Sequence, residues 1–293
     1  MKPRTTAALY MFAGRLLEWL PERVDVALAR RVGTAVGMRS RARAHLSTNL
    51  ARVLDAPGRP VDPAVLERFV ARGFANYAQY WAEGGKLPAL DPATITSRFR
   101  ITEGLEHLEA AFARGAGVVI ALPHVGSWEW GGSFISSLGM PMTAIAEELE
   151  PPELFEWFRA KRESIGIHIE ALNREASATL LRVLKDGGVV GLLCDRDISG
   201  GGVSVDFFGA AVTLPGGPAT LALRTGATLL CAACYTGPGR DHFAVVTPPL
   251  ASGREGRLRD DVTRVTQAIA HELEGLIRRA PEQWHVLEER FAP

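Results

Sequence analysis

Cysteine is scarce in this 293-residue sequence, and the three present, Cys194, Cys231 and Cys234, lie within apolar runs. Three residues in such positions are too few for the disulfide framework of a secreted protein. The stretch "CAAC" at 231–234 has the spacing of half a metal or redox site, but no second C-x-x-C and no matching histidine pair accompanies it. We therefore predict no metal site, and expect small core residues on a buried strand.

A long uninterrupted apolar run is also missing. No stretch approaches the roughly 20 apolar residues that a membrane-spanning helix requires. The N-terminal segment is interrupted by Arg15, Glu18, Glu22 and Arg23, which argues against the apolar centre of a secretory signal. We therefore expect a protein that stays in the cytoplasm and is at most attached to a membrane surface.

The sequence has no net charge, because 33 basic residues balance 33 acidic ones. It also lacks the short signatures of nucleic-acid binding, so we predict no nucleic-acid partner. The charge is unevenly distributed, since residues 1–59 contain eleven basic and four acidic side chains, interleaved with apolar residues at spacings typical of amphipathic helices. Such a segment could lie in the headgroup layer of an anionic membrane, or it could pack on the protein as an ordinary helix with solvated arginines.

The secondary-structure pattern changes near residue 95. Residues 62–85 are predicted to form a helix that Asp62 and Pro63 begin and two glycines end. Beyond residue 100, short apolar runs alternate with helical patterns: the predicted strands are 117–122, 142–147, 189–194, 227–235 and 243–248, and the predicted helices are 104–115, 152–166, 175–188, 217–226 and 258–281. We predict N-terminal amphipathic helices in a segment 1–95 and an α/β core, 96–293, with a mostly parallel sheet covered by helices on both faces.

The stretch "ALPHVGSWEWGG" at 121–132 carries the first candidate for chemistry. His124 follows a predicted strand and opens the next helix, so it should lie at the carboxyl edge of the sheet, where ligands bind in such folds. Glu129 is close enough in sequence to fold back on the imidazole, fix its tautomer and raise its basicity. Gly126 would let a substrate approach the backbone closely. The alternative is a helix-capping histidine near a solvated glutamate.

Four stretches together resemble one family of enzymes: "HVGSWEWGG", "IAEELEPPELFEWFRAKRESIG", "LLCDRDISGGGVSVDFFGAAVTLPGGPATLALRTGA" and "APEQWHVLEERF". They are similar to the membrane-associated acyltransferases that finish bacterial glycolipids. These comprise the lipid A late acyltransferases and, more closely, the phosphatidylinositol mannoside acyltransferases of actinobacteria. The likeness covers nearly the whole chain, with its motifs in the expected order.

The resemblance implies a role for each matching position. His124 would be the general base and Glu129 its orienting carboxylate, while Glu147 and Arg162 would belong to the substrate site. The "DRD" stretch would line the acceptor side with Asp195, Arg196 and Asp197, and which aspartate faces the sugar stays open. Oxyanion donors could be Arg162 or backbone amides near Gly126. The acyl groove could be walled by aromatic residues that could equally be core: Trp128, Trp130, Phe134, Phe207 and Phe208.

The activity implied is transfer of a long fatty acyl chain from acyl-CoA to a mannose hydroxyl of a phosphatidylinositol mannoside. It would take place at the cytoplasmic face of the membrane, on an anionic lipid surface, and would need no cofactor besides the acyl-CoA donor. A lipid A-type reaction that uses acyl carrier protein is the alternative within this chemistry. A non-enzymatic membrane-surface binding protein would explain residues 1–59 but not the His124 or "DRD" stretches. A serine hydrolase would need a G-x-S-x-G nucleophile elbow, which "GGSFISS" does not supply.

Overall fold

The computed structural model describes residues 22–55, 59–173, 175–198 and 200–291. Most of the apolar residues that suggested an N-terminal amphipathic segment lie outside the described residues, including Leu9, Phe12, Leu16, Trp19 and Leu20. None of the described helices is both long and apolar enough to cross a membrane.

Four helices precede the sheet: α1 (Glu22–Gly37), α2 (Ala42–Leu54), α3 (Pro63–Lys86) and α4 (Pro92–Arg98), with a 3-10 turn, Leu87–Ala89, between the last two. The start of α3 follows from the sequence, because the Asp62 carboxylate accepts hydrogen bonds from the amides of Ala64 and Val65. α1 packs closely along α3 since Gly37 lacks a side chain, and a Cβ there would lie 2.2 Å from the Phe74 ring.

Strands and helices alternate as predicted over much of the remaining chain, but three strands follow one another directly within residues 189–214 and two within residues 228–246. The strands are β1 (Phe99–Glu103), β2 (Val118–Leu122), β3 (Met142–Ala146), β4 (Ile167–Ala171), β5 (Val189–Leu193), β6 (Val203–Phe207), β7 (Ala210–Leu214), β8 (Thr228–Thr236) and β9 (His242–Val246). The helices are α5 (Leu105–Ala113), α6 (Trp128–Ser137), α7 (Pro152–Glu163), α8 (Ala176–Lys185), α9 (Gly217–Thr225) and α10 (Leu258–Arg279), followed by a 3-10 turn, Pro281–Gln283. The boundary predicted after residue 95 falls inside α4.

Seven strands form one sheet in the order β1-β9-β8-β2-β5-β3-β4. The five from β8 to β4 are parallel, whereas β9 is antiparallel to β8 and β1 is parallel to β9. The mostly parallel α/β sheet is therefore confirmed. The pattern missed β1 and β4 because these two edge strands, "FRITE" and "IHIEA", alternate polar and apolar residues instead of forming continuous apolar runs. It also missed the separate antiparallel hairpin of β6 and β7.

The central strand β2 shows how the helices cover both faces, because all five of its residues are buried. Val119 and Ala121 join the hydrophobic cluster that contains α8, α9 and α10. Val118, Ile120 and Leu122 join the cluster that contains α5, α6 and α7. Successive side chains of a strand point to opposite faces, so the sheet is enclosed by helices on both sides, and polar groups of the site have to emerge at its edge.

Candidate active site

The loops that follow β2 and β5 meet at the carboxyl edge of the sheet. The two strands are parallel neighbours in register, with Leu122 opposite Leu193. His124 comes two residues after the end of β2, and Asp195 comes two residues after the end of β5. Because parallel strands end at the same edge, this register brings the two side chains together across 71 positions of sequence.

Asp195 is the hydrogen-bond partner of the His124 ring. Its Oδ1 lies 2.5 Å from Nδ1 of His124. Its Oδ2 accepts from the His124 amide at 2.9 Å and from Nε1 of Trp284 at 2.7 Å. The Asp195 side chain is fully buried, whereas that of His124 is 21% exposed. The imidazole is therefore held from behind while its other edge remains accessible.

The Asp195 carboxylate is ionised in this site. Burial by itself raises its pKa, but the positive charge of His124 and the hydrogen bonds from His124 and Trp284 lower the pKa to about 2. An ionised carboxylate only accepts hydrogen bonds, so Nδ1 of His124 must carry the proton that it shares with Asp195. In neutral His124, Nε2 then holds the free lone pair, which is the arrangement of a general base.

The C-terminal segment fixes the loop that carries His124. Gly126 donates its amide to the Gln283 carbonyl at 3.0 Å, and His285 donates its amide to the His124 carbonyl at 2.7 Å. Gly126 has a φ of 56°, and a Cβ there would lie 2.0 Å from the carbonyl oxygen of Cys234 in β8. The close approach that requires glycine is therefore made by β8. That a substrate also approaches Gly126 stays a prediction.

Glu129 has different partners from those that the sequence suggested. Its Oε1 accepts from the Tyr80 hydroxyl at 2.9 Å and from Nη2 of Arg162 at 3.2 Å, and its Oε2 lies 3.5 Å from Oγ of Ser127. Glu129 occupies the first turn of α6, which directs its carboxylate toward α3 and α7. Among the described residues it makes no hydrogen bond to His124, so the prediction that Glu129 orients this histidine is wrong.

Tyr80, Glu129 and Arg162 instead form a buried network beside the base. Burial and the Glu129 charge both raise the pKa of the Tyr80 hydroxyl. Burial opposes the charge on Arg162, but Glu129 and Tyr80 outweigh that effect and raise its pKa. The guanidinium also lies 5.1 Å from the centre of the Trp128 ring and 5.7 Å from that of Phe158. Arg162 is therefore a fixed cation at this edge of the sheet.

A cavity of about 430 Å³ opens in front of the His124 ring. Seven of the predicted site residues line it: His124, Gly126, Trp128, Glu147, Arg162, Arg196 and Asp197. Glu129 and Asp195 are not among its lining residues. Much of the remaining wall is apolar and comes from β3–α7, β4 and β5, including Ile145, Leu149, Phe155, Phe158, Ile169 and Leu192. The cavity thus combines a polar mouth at His124 with an apolar interior, as many small-molecule sites do.

The three residues of the "DRD" stretch have separate surroundings. Asp195 is buried behind His124 with both oxygens bonded, so it does not line the acceptor side as predicted. Asp197 lines the cavity, and its carboxylate accepts from the amides of Gly200 and Gly202 at 3.1 and 2.7 Å. Nη1 of Arg196 pairs with Glu288 at 3.0 Å. Of the two aspartates, Asp197 is therefore the one that faces the cavity.

Nearly the whole chain, residues 1–292, matches the family described as Bacterial lipid A biosynthesis acyltransferase. The protein belongs to this acyltransferase family. Its sequence is 34% identical over 289 residues to "Phosphatidylinositol mannoside acyltransferase" of Mycolicibacterium smegmatis, covering 96% of this chain and 90% of that protein. It is 36% identical over 252 residues to the protein of the same name from Mycobacterium tuberculosis, covering 84% and 76%.

A more distant relative carries the family's general name. The acyltransferase is 26% identical over 273 residues to "Lipid A biosynthesis acyltransferase" of Haemophilus influenzae, covering 92% of this chain and 82% of that protein. The family resemblance that the motifs suggested is confirmed, and the protein is an acyltransferase.

Sequence reasoning missed three residues of this acyltransferase's site. Trp284 bonds Asp195, Tyr80 bonds Glu129, and His285 lines the cavity, with its ring centre 5.2 Å from that of Tyr80. Burial and the charge of His124 lower the pKa of His285 to about 3, so this second imidazole is neutral. Two of the three, Trp284 and His285, lie in the "QWHVLEERF" stretch that was quoted for the resemblance, and this stretch was the available signal for them.

Most of the aromatic residues predicted for an acyl groove of the acyltransferase lie elsewhere. Trp128 does line the cavity. Trp130 stacks on His242 with ring centres 4.2 Å apart, and Phe134 packs on Phe99 at 5.0 Å. The Phe207–Phe208 pair packs against Trp284 and Phe291 in the core. These residues are core, and the aromatic lining comes mainly from α3 and α7.

Proposed function

We propose that the protein transfers a long fatty acyl chain from acyl-CoA to a mannose hydroxyl of a phosphatidylinositol mannoside. The observation that carries this proposal is the His124–Asp195 pair, which presents a histidine with a free Nε2 to a cavity with an apolar interior. The names of the mycobacterial relatives, which share 34% and 36% identity with this chain, support the choice of acceptor. No cofactor is required by this chemistry.

In the proposed reaction His124 acts as the general base. Nε2 takes the proton of the sugar hydroxyl while the hydroxyl oxygen attacks the thioester carbonyl carbon. The tetrahedral intermediate collapses with cleavage of the carbon–sulfur bond, and the leaving thiolate receives that proton back from Nε2. Asp195 stabilises the transient imidazolium and is a positioning residue, because it is buried away from the cavity.

Charge that develops on the carbonyl oxygen needs donors close to His124. Arg162 is the fixed cation of the cavity wall and is held by Glu129 and Tyr80, so it is our first candidate for this role. Such preorganised donors stabilise an oxyanion without reorganisation at the moment of reaction. The fatty acyl chain would occupy the apolar interior between α7 and the strands β3 to β5.

The polar rim offers acceptors for the hydroxyls of a sugar. Glu147 and Asp197 both line the cavity, and carboxylates accept strong hydrogen bonds from hydroxyl groups. Asp197 is also bonded to the amides of the glycine-rich loop. We assign these two side chains, with Arg196, to the acceptor side of the site.

The surface of α1 supports docking on a lipid bilayer. Four apolar residues repeat along it every fourth position and are exposed by 49, 49, 51 and 65%: Val24, Leu28, Val32 and Val36. Arg31, also exposed, lies on the same side of the helix, and the exposed Arg39 follows two residues after its end. An apolar stripe flanked by arginines suits the interface of an anionic membrane. We propose peripheral attachment at the cytoplasmic face of the plasma membrane.

A four-way assay tests this function. Purified protein is incubated with palmitoyl-CoA or palmitoyl-acyl carrier protein, and with a dimannosylated phosphatidylinositol or a lipid A precursor, and the products are identified by mass spectrometry. We expect an acylated mannoside from palmitoyl-CoA. Acylation of the lipid A precursor from acyl carrier protein instead would establish the alternative reaction. Vesicle binding without consumption of any thioester would indicate a membrane-surface binding protein.

A further inference from the structure

A second cavity, of about 380 Å³, lies between α1, α3 and the turn that joins β8 to β9. α3 contributes Arg72, Asn76 and Gln79, which share one face at spacings of four and three residues. Tyr77, Tyr80 and Trp81 of the same helix line the acyl-transfer cavity. The two cavities therefore use different faces of α3.

Arg30 of α1 is oriented within this second cavity by two carboxamides. Its Nη1 donates to Oδ1 of Asn76 at 2.6 Å and to Oε1 of Gln79 at 2.5 Å. The side-chain nitrogens of the same two carboxamides are donors: Nδ2 of Asn76 donates to the Glu282 carbonyl at 2.8 Å, and Nε2 of Gln79 donates to the Glu83 carboxylate at 2.9 Å. Nε and Nη2 of Arg30 have no hydrogen-bond partner within the described part of the chain. The guanidinium is thus fixed at one end and has donors left for a ligand.

The charge around this cavity is not balanced. Within residues 22–55, 59–173, 175–198 and 200–291, neither Arg30 nor Arg72 has a carboxylate at salt-bridge distance. Asp25, the carboxylate nearest in sequence to Arg30, is bonded to Lys86 at 2.6 Å and to Arg240 at 3.1 Å. The lining residues carry two guanidinium groups and one carboxylate, that of Glu282. One positive charge is therefore left over, which a monoanionic ligand would neutralise.

We infer that this cavity binds the phosphodiester headgroup of an anionic phospholipid that bears a polyol. Guanidinium groups bind phosphate oxygens in a bidentate manner, and a phosphodiester carries the single negative charge that the lining lacks. The carboxylate of Glu282 lines this position and can accept from a hydroxyl. The carboxamides of Asn76, Gln79 and Gln283 each use one hydrogen and one lone pair within the protein, which leaves a second of each for hydroxyls. The volume falls in the range of roughly 300–1,000 Å³ that is usual for small-ligand sites.

The apolar stripe on α1 favours a lipid over a soluble phosphodiester. Arg30 belongs to the same helix as Leu28 and Val32, whose side chains are about half exposed. Arg30 faces α3 from the other side of the helix, so a headgroup bound there would lie one helix diameter, roughly 10–12 Å, from the surface that we propose enters the bilayer. The assignment to a lipid rests on the membrane docking proposed above, whereas the anion site itself does not.

The test measures binding of the isolated headgroup and binding of lipid vesicles in two separate experiments. Calorimetric titration of the purified full-length protein with glycerophosphoinositol, which has no acyl chains, and with inorganic phosphate measures the anion site. Sedimentation with phosphatidylcholine vesicles that contain phosphatidylinositol measures the lipid. We expect Arg72→Gln and Arg30→Gln each to weaken both glycerophosphoinositol and vesicle binding about tenfold or more. The matched control is Arg224→Gln, since Arg224 is an exposed arginine of α9 that lines neither cavity and lies outside the α1 surface.

Arg72→Gln keeps the test independent of folding, because the Arg72 side chain is exposed and makes no hydrogen bond or ion pair to the described residues. Binding by Arg72→Gln and Arg30→Gln equal to that of Arg224→Gln would show that this cavity is not an anion site. Equal affinity of the wild-type protein for inorganic phosphate and for glycerophosphoinositol would show that the cavity does not recognise a polyol headgroup. If these variants lose glycerophosphoinositol binding but bind vesicles as the wild type does, the ligand of this cavity is not a membrane lipid. None of these results depends on acyl transfer, so they stand apart from the proposed function.

Discussion

The imidazole of His124 and the buried carboxylate of Asp195 form a hydrogen-bonded pair, with Nδ1 and Oδ1 2.5 Å apart. Each residue follows a central parallel strand, and the two strands are paired along their whole length. The geometry of the pair is therefore set by the sheet.

The role of Asp195 is tested by Asp195→Asn. The amide cannot accept at both atoms as the carboxylate does, so the His124 tautomer and the charge that stabilises the imidazolium are both lost. We expect turnover to fall by about 10²-fold or more, with little change in the Michaelis constants for donor and acceptor. Steady-state kinetics of acyl transfer measure this effect.

Trp284→Phe is the graded control for that variant. It removes one of the three hydrogen bonds to the Asp195 carboxylate and keeps an aromatic ring in the core. We expect a loss of turnover of about tenfold or less. A loss as large as that of Asp195→Asn would contradict the assignment of the main effect to the His124–Asp195 bond.

A double-mutant cycle tests what Glu129 does. If Glu129 acts by holding Arg162, Glu129→Gln and Arg162→Gln together should slow the reaction about as much as Arg162→Gln alone. The effects of Glu129→Gln and Asp195→Asn should in contrast multiply, because those carboxylates contact different groups. The reverse pattern of coupling, measured as kcat/KM, would restore Glu129 as the partner of His124.

Stability should decrease with rising pH because of Glu83. Burial raises the pKa of Glu83 to about 7 from an ordinary 4.5, although Gln79 and nearby arginines oppose this effect. The favourable contribution of its neutral form is complete below the pKa of the unfolded chain and is lost as pH rises through about 7. We expect the free energy of unfolding to fall by about 2–3 kcal/mol from this group between pH 5 and pH 8.

Urea denaturation at pH 5 and at pH 8 measures this contribution of Glu83 to the free energy of unfolding. Glu83→Gln should flatten the decrease, whereas Glu109→Gln, which changes an exposed glutamate of α5, should leave it unchanged. An identical pH dependence in wild type and Glu83→Gln would show that Glu83 ionises normally in the folded protein.

The apolar stripe of α1 allows membrane binding to be tested by substitution of its exposed residues. Leu28→Glu together with Val32→Glu places charge where we expect the acyl boundary, so binding to anionic vesicles should weaken at least about tenfold. Leu138→Glu is the matched control, because Leu138 is a similarly exposed leucine next to α6. Vesicle sedimentation that is equal for both proteins would mean that α1 is only a structural helix.

The sequence predicted the α/β fold and the position of His124 because both depend on local patterns. A continuous apolar run followed by a polar residue identifies a buried strand and its edge. The partner of His124 was assigned wrongly because nearness in sequence favoured Glu129, while the pairing of β2 with β5 that brings up Asp195 is a property of the sheet. Trp284 lies 89 positions from Asp195, and no local pattern joins them.

The most direct measurement is single-turnover acyl transfer by His124→Ala, with palmitoyl-CoA and a mannosylated phosphatidylinositol, followed by mass spectrometry. His168→Ala, which removes an exposed histidine of β4, is measured in parallel. We expect the rate of His124→Ala to be lower by at least about 10²-fold, with an unchanged circular dichroism spectrum and unchanged acyl-CoA binding, and the rate of His168→Ala to equal that of wild type. A rate for His124→Ala within about twofold of wild type would show that His124 is not the base.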